Sequence, residues 1–276
     1  VNALVKKAKT RREEDLFVAE GLRMCSEIPK DRIHTLYISE SFSKTKECKT
    51  LREGVKHIEL VTDEVFKSLS DTQTPQGILA LVKQYHYTLD EVTGKTAKEK
   101  ATASGQDADG SVQNRKKQEN RKKPALLMVL ETIQDPGNLG TILRTAAAAN
   151  AGAVLLSEGS VDVYNDKTIR SAMGAIFKVP VVQDVTDEQL DQFCADEDRQ
   201  VYGTAPEGTV SYVDADYSQP VILAFGNEGN GLPGPFLDCC DDVLTIPMRP
   251  DTESLNLSMS VGIVLYKAWE KNGFKE

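Results

Sequence analysis

Short apolar runs, separated by polar stretches marked with glycine and proline, organise the chain from Leu16 onward. In the front third, Leu16-Phe17-Val18, Ile33 to Ile38, Ile58 to Val61 and Ile78 to Val82 read as strands. Helices are predicted over Gly21 to Ile28, and from the capping triplet Thr62-Asp63-Glu64 to Leu69. Beyond residue 124, strands are predicted at Leu126–Leu130, Val154–Leu156, Val179–Val182, Gln200–Gly203, Val221–Phe225 and Val243–Ile246. Helical segments fall between most of them, and a long helix over Leu257 to Lys271 ends the chain. Strands that are apolar almost throughout and alternate with helices have both faces covered, which argues a parallel sheet between two helical layers. The predicted class is α/β, with a small α/β domain over 1–89 and a parallel-sheet domain over 124–276.

Composition sharpens the boundary between the two. From Thr93 to Lys123 aromatics are absent and large aliphatics nearly so, leaving too little apolar area to offset ordering entropy. Residues 90–123 are therefore expected to be a flexible polar linker. Its clusters Arg115-Lys116-Lys117 and Arg121-Lys122-Lys123 read equally well as phosphate contacts or as a solvated tether. The net charge of −9 is unevenly spread: residues 1–89 carry +2, 90–123 carry +3 and 124–276 carry −14. A polyanionic partner would thus be attracted mainly by the front part. Apolar runs are too short to span a membrane, and Val1 to Arg12 is polar and basic, unlike a secretory signal. Val1 in place of a methionine predicts a natural start upstream. Cys25, Cys48, Cys194, Cys239 and Cys240 lack metal-ligand spacing, so reduced thiols, a cytoplasmic location and no metal site are expected.

Three strand-to-loop units carry the candidate chemistry. The first is Gln134-Asp135-Pro136-Gly137-Asn138-Leu139-Gly140-Thr141-Ile142-Leu143-Arg144, read as a Pro-Gly turn that leads into a helical segment over Thr145 to Asn150. In open α/β sheets ligands bind beyond the carboxyl ends of strands, where this tract lies. The second is Val221 to Phe225 followed by Gly226-Asn227-Glu228-Gly229-Asn230-Gly231-Leu232-Pro233. Its glycines permit close backbone approach to a ligand, but their spacing is neither a dinucleotide fingerprint nor a P-loop. The third runs from Ile246-Pro247 through Ser254-Leu255-Asn256-Leu257-Ser258, where any one of Ser254, Asn256 or Ser258 suffices to cap the last helix. His34, His57 and His86 all lie in the front part, so no imidazole base accompanies these loops.

Taken in order, Asn138-x-Gly140-x-x-x-Arg144, Phe225-Gly226-Asn227-Glu228-Gly229-x-Gly231-Leu232 and Ile246-Pro247 with Ser254-Leu255-Asn256-x-Ser258 resemble the three motifs of the SpoU (TrmH) family. That family comprises S-adenosylmethionine-dependent RNA 2′-O-ribose methyltransferases of the SPOUT superfamily. Phe17-Val18-Ala19-Glu20-Gly21 and Thr74-Pro75-Gln76-Gly77 likewise resemble its small RNA-binding domain of ribosomal-protein L30e type. The resemblance implies a trefoil knot in the C-terminal domain, a homodimer and structured RNA as partner, ribosomal more than transfer RNA. It matches Thr204, Gly226, Asn227, Gly229, Ile246 and Leu255 to cofactor contacts, and Arg144, Asn138, Glu228, Ser254 and Asn256 to the catalytic set. A guanidinium keeps its proton, so Arg144 is expected to bind phosphate and stabilise developing negative charge rather than act as a base. RNA capture is assigned to Lys9, Arg11, Arg12 and Arg23 of the front part. A transfer-RNA or antibiotic-resistance methyltransferase, and a non-catalytic RNA-binding protein of the same fold, remain the alternatives.

Overall fold

The computed structural model describes residues 1–93, 126–196, 199–252 and 254–274. These divide into two compact units, one made of Val1–Tyr85, Ile133–Ala148 and Ser160–Val179, the other of His86–Thr132, Ala149–Gly159 and Pro180–Glu276. Most of the segment expected as a linker lies outside the described residues; its first residues close helix α7 (Leu89–Thr93).

The first unit opens with α1 (Asn2–Lys6), α2 (Ala8–Glu14), β1 (Leu16–Glu20) and α3 (Leu22–Glu27). It continues through β2 (Ile33–Ser39), α4 (Glu40–Ser43), α5 (Lys46–Arg52), β3 (Ile58–Val61), α6 (Asp63–Leu69) and β4 (Ile78–Lys83). The sheet order is β1-β4-β2-β3, antiparallel except for the parallel β2–β3 pair. Helices α8 (Pro136–Ala148) and α9 (Asp166–Ala172) belong to the same unit. They approach each other closely at Gly140, where a Cβ would fall 2.5 Å from both the Thr168 carbonyl oxygen and Ser171 Cβ. The 160–179 segment is pinned to the front sheet by Tyr164. Its ring stacks on Phe17 at 4.7 Å, and its hydroxyl both donates to the Tyr85 carbonyl (2.9 Å) and accepts from the Tyr85 N–H (2.7 Å).

Two expectations are corrected here. Pro136-Gly137 does not form a turn ahead of the helix; α8 starts at Pro136 itself. A proline fits the first helical position because its missing N–H would have no partner there and its φ is already helical. Arg11, expected on the RNA-binding surface, is only 3% exposed. Its guanidinium makes two hydrogen bonds to Asp162 Oδ2 (2.8 and 2.7 Å) and donates to the carbonyls of Leu4 (2.6 Å) and Val5 (3.1 Å). It therefore ties the N-terminal helices to the 160–179 segment and is closed to phosphate.

The second unit contains β5 (Leu126–Leu130), β6 (Ala153–Ser157), β7 (Val181–Val185), α10 (Asp187–Asp196), β8 (Gln200–Thr204) and β9 (Val210–Ser211). After them come β10 (Val221–Phe225), α11 (Gly234–Asp238), β11 (Asp242–Thr245) and α12 (Leu257–Lys271). Its sheet is ordered β7-β6-β5-β10-β8-β11-β9, and each pairing is parallel. β5, β6 and β10 are buried at every residue, as near-continuous apolar strands in a two-sided sheet must be. The two-residue β9 at the edge escaped the sequence reading. Among the described residues, no helix is long and apolar enough to cross a membrane.

Arg11→Ala removes one half of a buried ion pair and strands Asp162, so it is expected to cost about 3–5 kcal/mol of stability. Urea unfolding measures that loss, and the RNA affinity of the folded fraction should stay unchanged.

Candidate active site

Parallel register brings the ends of the central strands into line. Phe225 pairs with Leu130, and Leu244 pairs with Thr204. The loops leaving β5, β8, β10 and β11 consequently share one edge of the sheet, so Thr204, Gly226, Asn227, Gly229 and Ile246 are brought together there.

The glycine loop after β10 is a tight, self-bonded turn. Asn227 and Gly231 exchange backbone hydrogen bonds (3.1 and 2.9 Å), and Asn227 Oδ1 accepts from the N–H groups of Gly229 (2.8 Å) and Asn230 (3.2 Å). Asn227 Nδ2 donates to the carbonyl of Thr132 (2.8 Å), tying this loop to the end of β5. Gly226 permits the turn, because a Cβ there would collide with the backbone of Gly231 and Leu232. Thr204 closes the neighbouring strand end by donating its hydroxyl to the Ala224 carbonyl (2.9 Å). Asn227 and Thr204 thus spend side-chain hydrogen bonds on shaping the edge.

What the edge leaves open is backbone. Among the described residues, no hydrogen bond engages the N–H or C=O groups of Gly226, Ile246 or Leu255; Leu255 is exposed and Ile246 half-buried, and of the three only Gly226 is buried. Buried backbone polar groups are nearly always paired, so unpaired ones at a strand edge mark a place for a ligand with donors and acceptors of its own. S-adenosylmethionine carries donors and acceptors of its own, and the buried backbone of Gly226 fits such a ligand. Asn256 caps α12: its Oδ1 accepts from Ser258 N–H (3.0 Å), Ser258 Oγ (2.6 Å) and Met259 N–H (3.4 Å). Ser254, Leu255, Gly229 and Glu228 are exposed in the loops themselves.

In the other unit, Asn138 and Arg144 lie six residues apart on α8. Asp135 caps that helix by accepting from Asn138 N–H (2.7 Å), and it also holds Lys167 Nζ at 3.0 Å. These contacts, the Asn138 amide first, keep the Asp135 carboxyl below its usual range. Arg144 is exposed, and no ion pair or hydrogen bond engages it among the described residues. Of the expected RNA contacts, Lys9, Arg12 and Arg23 are exposed, with Lys9 3.7 Å from Glu13.

Three further residues escaped the sequence reading. Thr132 has a φ of +45°, unusual for a β-branched residue, and donates its N–H to Ser157 Oγ at 2.7 Å. Backbone strain of this kind gathers at functional sites. Glu131 beside it is buried, and burial pushes its carboxyl above the usual range. Asp135 was legible in principle, since an Asp ahead of Pro-Gly is a helix-capping signal. Among the described residues, no group of His, Cys, Asp and Glu is placed to hold a metal ion.

A parallel α/β sheet with ligand-ready backbone at its carboxyl edge defines a cofactor-binding domain of doubly covered type. Residues 125–266 match the model of the SpoU rRNA Methylase family, and residues 1–80 match that of the MRM3-like substrate binding domain. The chain belongs to the SpoU rRNA methylase family. The 23S rRNA (guanosine(2553)-2'-O)-methyltransferase RlmP of Bacillus subtilis (strain 168) is 30% identical over 260 residues, covering 94% of this chain and 90% of that protein. The AdoMet-bound rRNA methyltransferase from Sinorhizobium meliloti is similar in structure, with a TM-score of 0.77 at 27% identity over 97% of this chain and 92% of its own. The SpoU methyltransferase AviRb from Streptomyces viridochromogenes, solved with AdoMet, shares the fold at a TM-score of 0.79 and 22% identity, covering 99% of this chain and 97% of its own.

Two outcomes follow, one for this edge and one for the cap of α8. Gly226→Ala should lower S-adenosylmethionine affinity at least about tenfold, read by calorimetry, because the loop must shift by more than a side chain can absorb. Asp135→Ala should cost no more than about 1 kcal/mol of stability at neutral pH, the cap being exposed. Because the folded carboxyl titrates below its unfolded value, this contribution is present above the usual carboxylate range and lost as pH falls through the folded value. Paired thermal melts across that range should converge at the acid end.

Proposed function

We propose that this chain transfers the methyl group of S-adenosylmethionine to a ribose 2′-hydroxyl of structured ribosomal RNA. The observation that carries the reading is the buried, unpaired backbone of Gly226, at the strand edge where an α/β fold binds ligands. RlmP, a 23S rRNA 2′-O-methyltransferase, supports the choice of RNA and of the ribose oxygen.

S-adenosylmethionine supplies an activated methyl group when bound, so the difficult chemistry belongs to the cofactor. The protein's task is to orient, desolvate and stabilise. Gly226, Ile246 and Leu255 hold the cofactor through main chain, while Asn227 and Thr204 keep the loops in shape. Arg144 binds an RNA phosphate and stabilises the negative charge that develops on the attacking oxygen; being permanently charged, it does not take the proton, which passes to water as the methyl carbon leaves the sulfonium sulfur for that oxygen. Asn138, Glu228, Ser254 and Asn256 belong to the polar set that the resemblance to the family matches to catalysis. Exposed Lys9, Arg12 and Arg23 add attraction for RNA on the front unit, against the acidic balance of the rest.

A homodimer, a knotted C-terminal domain and a cytoplasmic location belong to the same reading. The exposed apolar side chains of Met259 (60%) and Tyr266 (44%) on α12 support self-association, since large apolar side chains so open to water favour burial. Met259→Glu should shift the protein towards monomer in sedimentation, and an unchanged distribution would count against this face.

Arg144→Ala should reduce methyl transfer to RNA by about a hundredfold or more. Cofactor affinity should be unchanged. Labelled methyl incorporation into ribosomal RNA under saturating cofactor reads the effect, and equal labelling by both proteins would remove Arg144 from the chemistry.

A further inference from the structure

The first unit carries a cavity of about 400 Å³ that the catalytic loops do not use. It lies where β2 ends and β4 begins. The N–H of Ser39 donates to the Gly77 carbonyl (2.9 Å), joining the two strands at that point. Gly77 has a φ of +81°, and a Cβ on it would fall 2.5 Å from Ser39 Oγ and 2.8 Å from Phe42 Cβ. Any side chain at 77 would therefore disturb the wall. Phe42 and Pro75 supply apolar surface, and Asp63, Lys67 and Gln76 supply polar groups.

The hydrogen-bond inventory of those polar groups is uneven. Asp63 Oδ1 accepts from Ser41 twice, from the N–H at 3.1 Å and the hydroxyl at 2.7 Å, and the Ser41 hydroxyl is in turn bonded to Ser39 Oγ (3.1 Å). These bonds, the Ser41 hydroxyl first, hold the carboxyl below its usual range and hence ionised at neutral pH. Gln76 Oε1 accepts the N–H of Leu22 (2.7 Å). The Asp63 carboxylate is further held by the Ser39 side chain, and Gln76 Nε2 and Lys67 Nζ, like Asp63 on exposed residues, carry no hydrogen bond or ion pair among the described residues. The cavity thus offers one anionic acceptor, two kinds of donor and an apolar wall.

We propose that this cavity binds one unstacked nucleoside of the RNA substrate, whose base carries a single exocyclic amine beside ring acceptors, as cytosine and adenine do. The amine donates to the Asp63 carboxylate, and the ring acceptors take hydrogen bonds from Gln76 or Lys67. In the same orientation uracil sets a carbonyl oxygen where cytosine has its amine and an N–H where cytosine has its ring acceptor, so it binds more weakly. Guanine offers two neighbouring donors that call for both carboxylate oxygens, one of which Ser41 already fills. The volume falls in the range of small-ligand sites, about 300–1,000 Å³, and so has room for one nucleotide. Unstacked bases read on their hydrogen-bonding edges are the usual basis of sequence-specific RNA recognition. A free anion does not fit a cavity rimmed by Asp63. The inference rests on the RNA reading above and adds a determinant of which RNA is chosen.

The test uses the whole chain and two independent readouts. Titration with cytidine, adenosine and uridine 5′-monophosphates, followed by the amide resonances of Ser39, Ser41 and Gly77, should show the amine-bearing nucleotides binding at least about tenfold more tightly than uridine. Asp63→Asn keeps an acceptor for Ser41 while removing the charge, and should abolish that preference. In methyl transfer to ribosomal RNA, Asp63→Asn and Lys67→Ala should raise the KM for RNA several-fold and leave kcat and cofactor affinity unchanged. Shifts with none of the nucleotides, equal binding of uridine, or an unchanged KM would overturn the proposal. Failure of the wild-type chain to methylate any RNA would instead strike the functional reading, while the nucleotide titration still decides the cavity.

Discussion

In the seven-stranded sheet, Phe225 lies opposite Leu130 and Leu244 opposite Thr204, so the ladder of parallel strands ends in a common row. Past that row each backbone must find partners outside the sheet. Asn227 solves this for its own loop with three side-chain hydrogen bonds, and Thr204 does so for β8. Among the described residues, the buried Gly226 has no such partner. An apolar sheet buried on both faces makes the edge rigid, and rigidity makes unpaired groups at that edge a ready binding surface. Ligand binding thus depends on strand register more than on any single side chain.

Much of this architecture was legible in the sequence. The strands Leu126–Leu130 and Val221–Phe225 and the helix Leu257–Lys271 were predicted with the bounds observed. They are long, apolar and cleanly bounded, and local pattern decides such elements. The start of α8 was misread because Pro-Gly signals a turn when seen alone; only the Asp135 cap, three residues ahead of the amide it accepts from, reveals a helix. β9 has two residues, too few to form a pattern.

Long-range pairing set the limit for the site. Arg11 sits among basic residues and read as a surface cation, yet its partner Asp162 is 151 residues away in sequence. No local pattern reports such a pair. Exposure decides which of the motif residues can meet a substrate, and Arg144 and Glu228 are exposed whereas Gly226 is buried. Likewise the motifs named Asn227 and Asn256 as functional, but not that each would organise its own loop or helix start. The unpaired main-chain groups have no signature in residue identity at all.

Family membership and the strand-edge backbone, with the exposed Arg144 proposed as the cation, converge on ribose methylation, and the position of the transferred methyl group tests that most directly. Ribosomal RNA methylated by this chain with labelled S-adenosylmethionine would be hydrolysed in alkali and its products separated. A 2′-O-methyl group blocks cleavage of the adjoining phosphodiester, so the account predicts the label in alkali-resistant dinucleotides. Label recovered in mononucleotides, as base methylation would give, would contradict it.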